Sequence, residues 1–198
     1  MARSTRRNVI AALAALAGAP AAFAADDRYR GWTRAGGDGA LPLDVHVDTG
    51  AGVQTLGDWL GARPAVLTLW ATWCGPCLAE KGPQARMNQR LAAYGSRTRI
   101  LALQIYDDVD LARGRAVLAR FGAEGLTNAA ALPDAEAAFI RLLGASQIDS
   151  ARTSMPWHLL VDSNGRELAR SLGLMRGEGG GYTYFEDDAT LAFLSELG

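Results

Sequence analysis

The chain has 198 residues, 49% of them hydrophobic, with 20 Lys and Arg against 21 Asp and Glu for a formal net charge of −1. That is the composition of a globular core of about one domain plus extra segments, long enough to need neither disulfide staples nor a metal. It excludes a disordered chain, and the near-zero charge gives no electrostatic basis for a nucleic-acid partner.

Arg3, Arg6 and Arg7 precede a small apolar stretch from Val9 to Phe23, and Ala22-Phe23-Ala24 then offers small residues where a signal peptidase reads them. The stretch is short for a membrane span and contains Gly18 and Pro20. Residues 1–24 are therefore expected to be a signal peptide cleaved after Ala24, which places the protein in the periplasm; an uncleaved anchor is the alternative. Thr5-Arg6-Arg7-Asn8-Val9-Ile10 fits a twin-arginine signal as well as an ordinary secretory one. Cleavage removes three arginines and no acid, taking the net charge from −1 to −4.

Residues 25–42, rich in Gly, Arg and Asp, read as a loose leader to a domain over residues 43–198. Leu43 to Val47 alternates like a short strand, Asp48 to Gly52 reads as a turn, and Val53 to Thr55 as its hairpin partner. Leu56 to Leu60 suits a short helix. Ala65 to Trp70 is an apolar run of β-formers, as expected of a central strand buried on both faces. Cys74 to about Ala93 is helical, with a kink expected near Gly82-Pro83. Arg99 to Ile105 is a second buried strand. Asp108 is expected to cap a helix to Phe121, and Asp134 another to Leu143. Trp157 to Val161 and Arg166 to Leu172 form a strand pair about the turn Asp162 to Gly165. Gly177 to Gly181 is a break before a closing helix, Asp188 to Leu197. Strands alternating with helices and ending in a hairpin define a mixed α/β protein.

The chain has two cysteines, both in Trp73-Cys74-Gly75-Pro76-Cys77. Side chains three apart on a first helical turn are neighbours, within the reach of a disulfide. Gly75 lets the chain turn tightly, and a first-turn proline costs no hydrogen bond. At the helix N-terminus, Cys74 meets unpaired N–H groups and the positive end of the dipole, which favour its thiolate, the attacking species. Cys77 lies deeper. Cys74 then attacks a partner disulfide, and Cys77 resolves the mixed disulfide.

Three other readings compete. A zinc half-site needs two more ligands, and His46 and His158 are far from the motif. A structural disulfide across three residues closes a tiny loop and restrains the unfolded chain little. A peroxidatic cysteine lacks a supporting neighbourhood. No metal or other cofactor is expected.

Leu69-Trp70-Ala71-Thr72-Trp73-Cys74-Gly75-Pro76-Cys77 resembles the active-site stretch of the thioredoxin superfamily. The export signal, the Trp-Ala-Thr-Trp lead and Glu80 look like its TlpA/ResA-like branch of periplasmic or membrane-facing disulfide reductases, some of which serve cytochrome c maturation. The resemblance covers roughly Leu43 to Leu197. It implies a thioredoxin-like α/β fold, a central mixed sheet flanked by helices, here with an N-terminal β-hairpin extension. It also implies a cis-proline at Pro156 within Ser154-Met155-Pro156, with Met155 offering backbone groups to an extended substrate.

Trp73, Gly75, Pro76, Met155 and Pro156 are thus the expected client-binding residues, and Cys74, Cys77 and Glu80 the expected catalytic ones. Cytosolic thioredoxins carry a buried acid six residues before the first Cys. Here that place is Thr68, and Glu80 is expected to substitute, its alternative being a solvated helix carboxylate. Pro83 comes one residue later than the family's helix-kinking proline. His158, two residues after Pro156, reads as a packed or exposed strand residue, a place near the site being the alternative; Trp70 reads as core, and Trp32, Trp59 and Trp157 as packing or loop residues.

A Gly-Pro dipeptide is the thioredoxin-type pair and implies a reductant. The expected partners are a client protein with a cysteine pair and a membrane thiol carrier as electron donor. An oxidase or isomerase, or a binding module without turnover, is the alternative.

Overall fold

The computed structural model describes residues 31–34, 40–144, 152, 155–177, 181 and 183–197. Residues 1–24, expected to be a signal peptide, most of the expected leader, Ser154 and the centre of the Gly177–Gly181 break lie outside the described residues. The strands are β1 (Thr33–Arg34), β2 (His46–Asp48), β3 (Val53–Thr55), β4 (Ala65–Trp70), β5 (Arg99–Gln104), β6 (Thr127–Ala131), β7 (Trp157–Val161) and β8 (Glu167–Leu172). The α-helices are α1 (Leu56–Leu60), α2 (Gly75–Ala93), α3 (Leu111–Arg120), α4 (Pro133–Leu142) and α5 (Asp188–Ser195), the last preceded by a 3-10 turn at Tyr184–Glu186.

The strands make one mixed sheet in the order β1-β8-β7-β4-β5-β6-β2-β3. β4, β5 and β6 are parallel, while β7 runs antiparallel to β4 on its other side. This is the thioredoxin-like α/β architecture, and the β2–β3 hairpin extends the sheet beyond β6. All six residues of β4 are buried, as its unbroken apolar sequence requires of a strand covered on both faces. α2 covers the sheet through Met87 and Leu91, both fully buried. The chain's last turns close over α2: Arg86 pairs with Glu186 at 2.5 Å, and Arg90 reaches both the Glu186 carbonyl and the Asp188 carboxylate.

Four local expectations are corrected. β6 was not expected, because Thr127-Asn128-Ala129-Ala130-Ala131 has little β propensity. Parallel pairing with β5 holds it extended, and Asn128 accepts a hydrogen bond from the Trp70 indole at 3.0 Å. The cap of α3 is Asp110, not Asp108: its carboxylate accepts from the Arg113 amide at 2.8 Å. α4 starts with Leu132 as cap and Pro133 in its first turn, and Asp134 instead binds His46 Nδ1 at 2.8 Å. The first strand is shorter than expected, His46 to Asp48 rather than Leu43 to Val47.

α2 is a single helix with Pro83 inside it. At Gly82 an added Cβ would come within 2.8 Å of the Phe121 carbonyl oxygen, so this glycine lets α2 approach the end of α3.

Candidate active site

β4 delivers the loop Ala71-Thr72-Trp73 to the start of α2, and Cys74 is the N-cap of that helix. Cys74 and Cys77 are joined by a disulfide with Cα atoms 5.3 Å apart. The Cys77 amide donates to Cys74 Sγ at 3.2 Å, as a capping side chain receives its N–H. Cys77 is fully buried. Cys74 is only 4% exposed, so its sulfur is more covered than the sequence alone implies. Trp73, at 44%, is the large exposed side chain beside it, while Gly75 and Pro76 are exposed on the first turn.

The loop is clamped from β5 and beyond. Asp107 accepts from the Thr72 amide at 2.5 Å and from its hydroxyl at 2.9 Å. Tyr106 has φ 56°, a left-handed conformation uncommon outside glycine. Its carbonyl accepts from Trp73 Nε1 at 3.0 Å and from Arg152 Nη2 at 2.9 Å. Arg152 also lies over the Trp73 ring, 5.3 Å from its centroid. Glu136 holds Tyr106 from α4, accepting its amide at 2.7 Å. Burial raises the carboxyl pKa of Glu136 and raises the Tyr106 phenol as well.

Met155–Pro156 is a cis peptide bond, the geometry expected there. In the β4–β7 ladder Leu69 stands opposite Trp157. Pro156 therefore lies at the end of β4 from which the cysteine loop leaves. Met155 is 7% exposed.

Beneath the disulfide is a buried polar cluster that sequence reasoning met only in part. Glu80 is 3% exposed, not solvated. Its Oε1 accepts from the Met175 amide at 2.9 Å, and its Oε2 lies 3.0 Å from Nε2 of the fully buried His158. That approach is out of line for a hydrogen bond, and both ring nitrogens lack an aligned partner. The His158 ring packs edge-on against Phe185, 5.5 Å between centroids. Lys81, fully buried, donates to Thr68 Oγ1 and Gln84 Oε1, each at 2.8 Å.

Lys81, Tyr106, Asp107 and Arg152 were not anticipated. The available signal for Lys81 was its spacing, four residues after Cys77 on the helix face that packs on the sheet. Among the described residues no group of three or more His, Cys, Asp or Glu side chains is arranged to hold a metal ion.

No family model matches this chain, and no curated protein matches it. Solved structures do. A Chlorobium tepidum protein described as a thiol:disulfide interchange protein DsbE is 26% identical, with a TM-score of 0.55 over 80% of this chain and 98% of that one. The chain belongs to the thioredoxin superfamily. The thioredoxin domain of a Bacteroides vulgatus thiol-disulfide oxidoreductase superposes with a TM-score of 0.55 at 13% identity, covering 82% of this chain and 99% of that chain. A secreted thiol-disulfide isomerase from Corynebacterium glutamicum gives 0.51 at 20% identity, over 78% and 84%. These last two show the fold alone. Joined with the Cys74–Cys77 disulfide at the head of α2, the likeness makes this thioredoxin-fold chain a thiol–disulfide oxidoreductase.

Proposed function

We propose that the protein is an exported disulfide reductase that acts on client proteins carrying a cysteine pair, such as cytochrome c or metal-site maturation clients. The observation that carries this reading is the Cys77 amide donating to Cys74 Sγ at a helix N-terminus. The same donor and the helix dipole stabilise a Cys74 thiolate once the pair is reduced.

In this reading Cys74 attacks a client disulfide and Cys77 then displaces the client as a reduced thiol. Trp73, Gly75, Pro76, Met155 and Pro156 form the surface that receives the client segment. Trp73 offers an apolar contact, and the backbone at Met155 offers strand-type pairing. Glu80 is the buried carboxylate that sets the charge beneath the pair. A membrane thiol carrier restores the dithiol, since an oxidising compartment does not.

Gly-Pro between the cysteines supports the reducing direction over an oxidase or isomerase. Equilibration with glutathione buffers tests it. A reduction potential near the thioredoxin value of about −270 mV is expected, and one near about −120 mV, the range of strong disulfide oxidants, would overturn the reductant.

A further inference from the structure

One face of α2 leads inward from the disulfide. Cys77, Glu80, Lys81 and Gln84 are spaced i, i+3, i+4 and i+7, and all four are buried. Cys77 and Lys81, at i and i+4, are neighbouring positions on that face, one turn apart, and both are fully buried. Facing them, Thr68 on β4 and His158 on β7 are paired in register.

The titratable group that acts on Lys81 from its own helix is Glu80; Cys77 lies one turn earlier on the same helix face, and His158 on β7 approaches Glu80 at 3.0 Å. β4 presents the Thr68 hydroxyl and the Trp70 ring, 5.6 Å from Nζ. β5 presents the Leu101 carbonyl, which accepts from Thr68 at 3.2 Å. Both hydrogen-bond partners of Nζ are neutral oxygens. A neutral amine uses its two N–H groups on them and keeps a lone pair, whereas an ammonium buries a third N–H. Glu80, by contrast, accepts from the Met175 amide at 2.9 Å and from Gln84 Nε2 at 3.5 Å.

We propose that Lys81 is the buried proton acceptor for Cys77 at the step that resolves the mixed disulfide. The proposal rests on the exchange role of the pair given above. Cys74 is then bonded to a client sulfur and Cys77 is a thiol. The Cys77 proton passes to the Lys81 amine, directly or through one water. The Cys77 thiolate attacks Cys74 Sγ, a bond forms between the two cysteines, and the bond from Cys74 to the client breaks. The client sulfur leaves with the electron pair and takes a proton from water. The Lys81 ammonium returns its proton to water, which restores the neutral amine. The pair is oxidised and the client reduced. Burial supports the proposal by pushing the Lys81 pKa down to about 7, opposed by the charge of Glu80.

Reduced protein mixed with oxidised glutathione tests this without any client. Rapid quenching separates the glutathione mixed disulfide on Cys74 from the glutathione that Cys77 then releases. In the wild type the release rate should fall about tenfold per pH unit below an inflection near 7. Lys81→Met should remove the inflection and slow release at pH 8 by at least ~100-fold. Lys81→Arg, always charged, should do the same. Glu80→Gln should move the inflection to lower pH, since the carboxylate favours the ammonium.

A wild-type profile flat between pH 6 and 8, the wild-type inflection persisting in Lys81→Met or Lys81→Arg, or its loss in Glu80→Gln, would overturn the proposal. Failure of the wild type to release glutathione at any pH would instead overturn the exchange role itself.

Discussion

The Cys77 backbone amide and Cys74 Sγ are 3.2 Å apart, with the amide as donor. Cys77 belongs to the first turn of α2, so this N–H is one that has no partner within the helix. In the oxidised protein it meets a disulfide sulfur, a weak acceptor. After reduction it meets a thiolate, and a charge-assisted hydrogen bond is roughly twice as strong. The helix start therefore stabilises the reduced, ionised state more than the oxidised one.

From this follows a difference in reactivity between the two sulfurs. In the reduced protein Cys74 should be alkylated by iodoacetamide with a pKa below the ordinary thiol value of about 8.5, and Cys77 should resist. Mass spectrometry of partially alkylated protein checks it. Equal labelling of both residues, or a Cys74 pKa at or above 8.5, contradicts it.

Asp107 anchors the approach to Cys74 by taking both the amide and hydroxyl protons of Thr72. Asp107→Ala leaves two donors without their carboxylate. It should cost about 1–3 kcal/mol in denaturant unfolding and slow disulfide exchange. A variant with wild-type stability and rate would show that the clamp is dispensable.

Trp73 is held by the Tyr106 carbonyl and by Arg152 over its ring. Arg152→Ala removes a cation–π contact of about 0.5–1 kcal/mol. Its expected effects are a change in Trp73 fluorescence and a raised KM for a protein disulfide such as insulin, with kcat little altered. A change in kcat alone would place Arg152 elsewhere in the cycle.

Much of this was legible beforehand, for identifiable reasons. β4, β5 and β7 are apolar runs whose burial on two faces is written in their composition. The redox pair was legible because the chain spends both its cysteines in one motif. β6 was hidden because its alanines and Asn128 are extended by their neighbours, not by their own preference. Three aspartates lie within four residues before α3, and only tertiary contacts decide that Asp107 clamps and Asp110 caps. Lys81 was hidden because lysine is rarely buried, so a helix lysine reads as solvated.

That burial has a thermodynamic signature. The Lys81 pKa is about 7 in the folded protein, against about 10.4 in an unfolded chain. Between those values the unfolded state binds the extra proton, so stability rises with pH, by up to ~1.4 kcal/mol per unit. Below pH 7 both states are protonated and the full cost of burying the charge remains. Denaturant titrations of wild type and Lys81→Met from pH 6 to 10 should therefore diverge most at low pH, with the variant the more stable. Parallel curves would contradict the buried, depressed amine.

The most direct test of the account is to trap the exchange in progress. Cys77→Ser protein, incubated with oxidised periplasmic extract and resolved on non-reducing gels, should accumulate mixed disulfides through Cys74 that thiol reductant dissolves. Cys74→Ser should accumulate none. Equal trapping by both variants, or none by either, would contradict a pathway in which Cys74 attacks and Cys77 resolves.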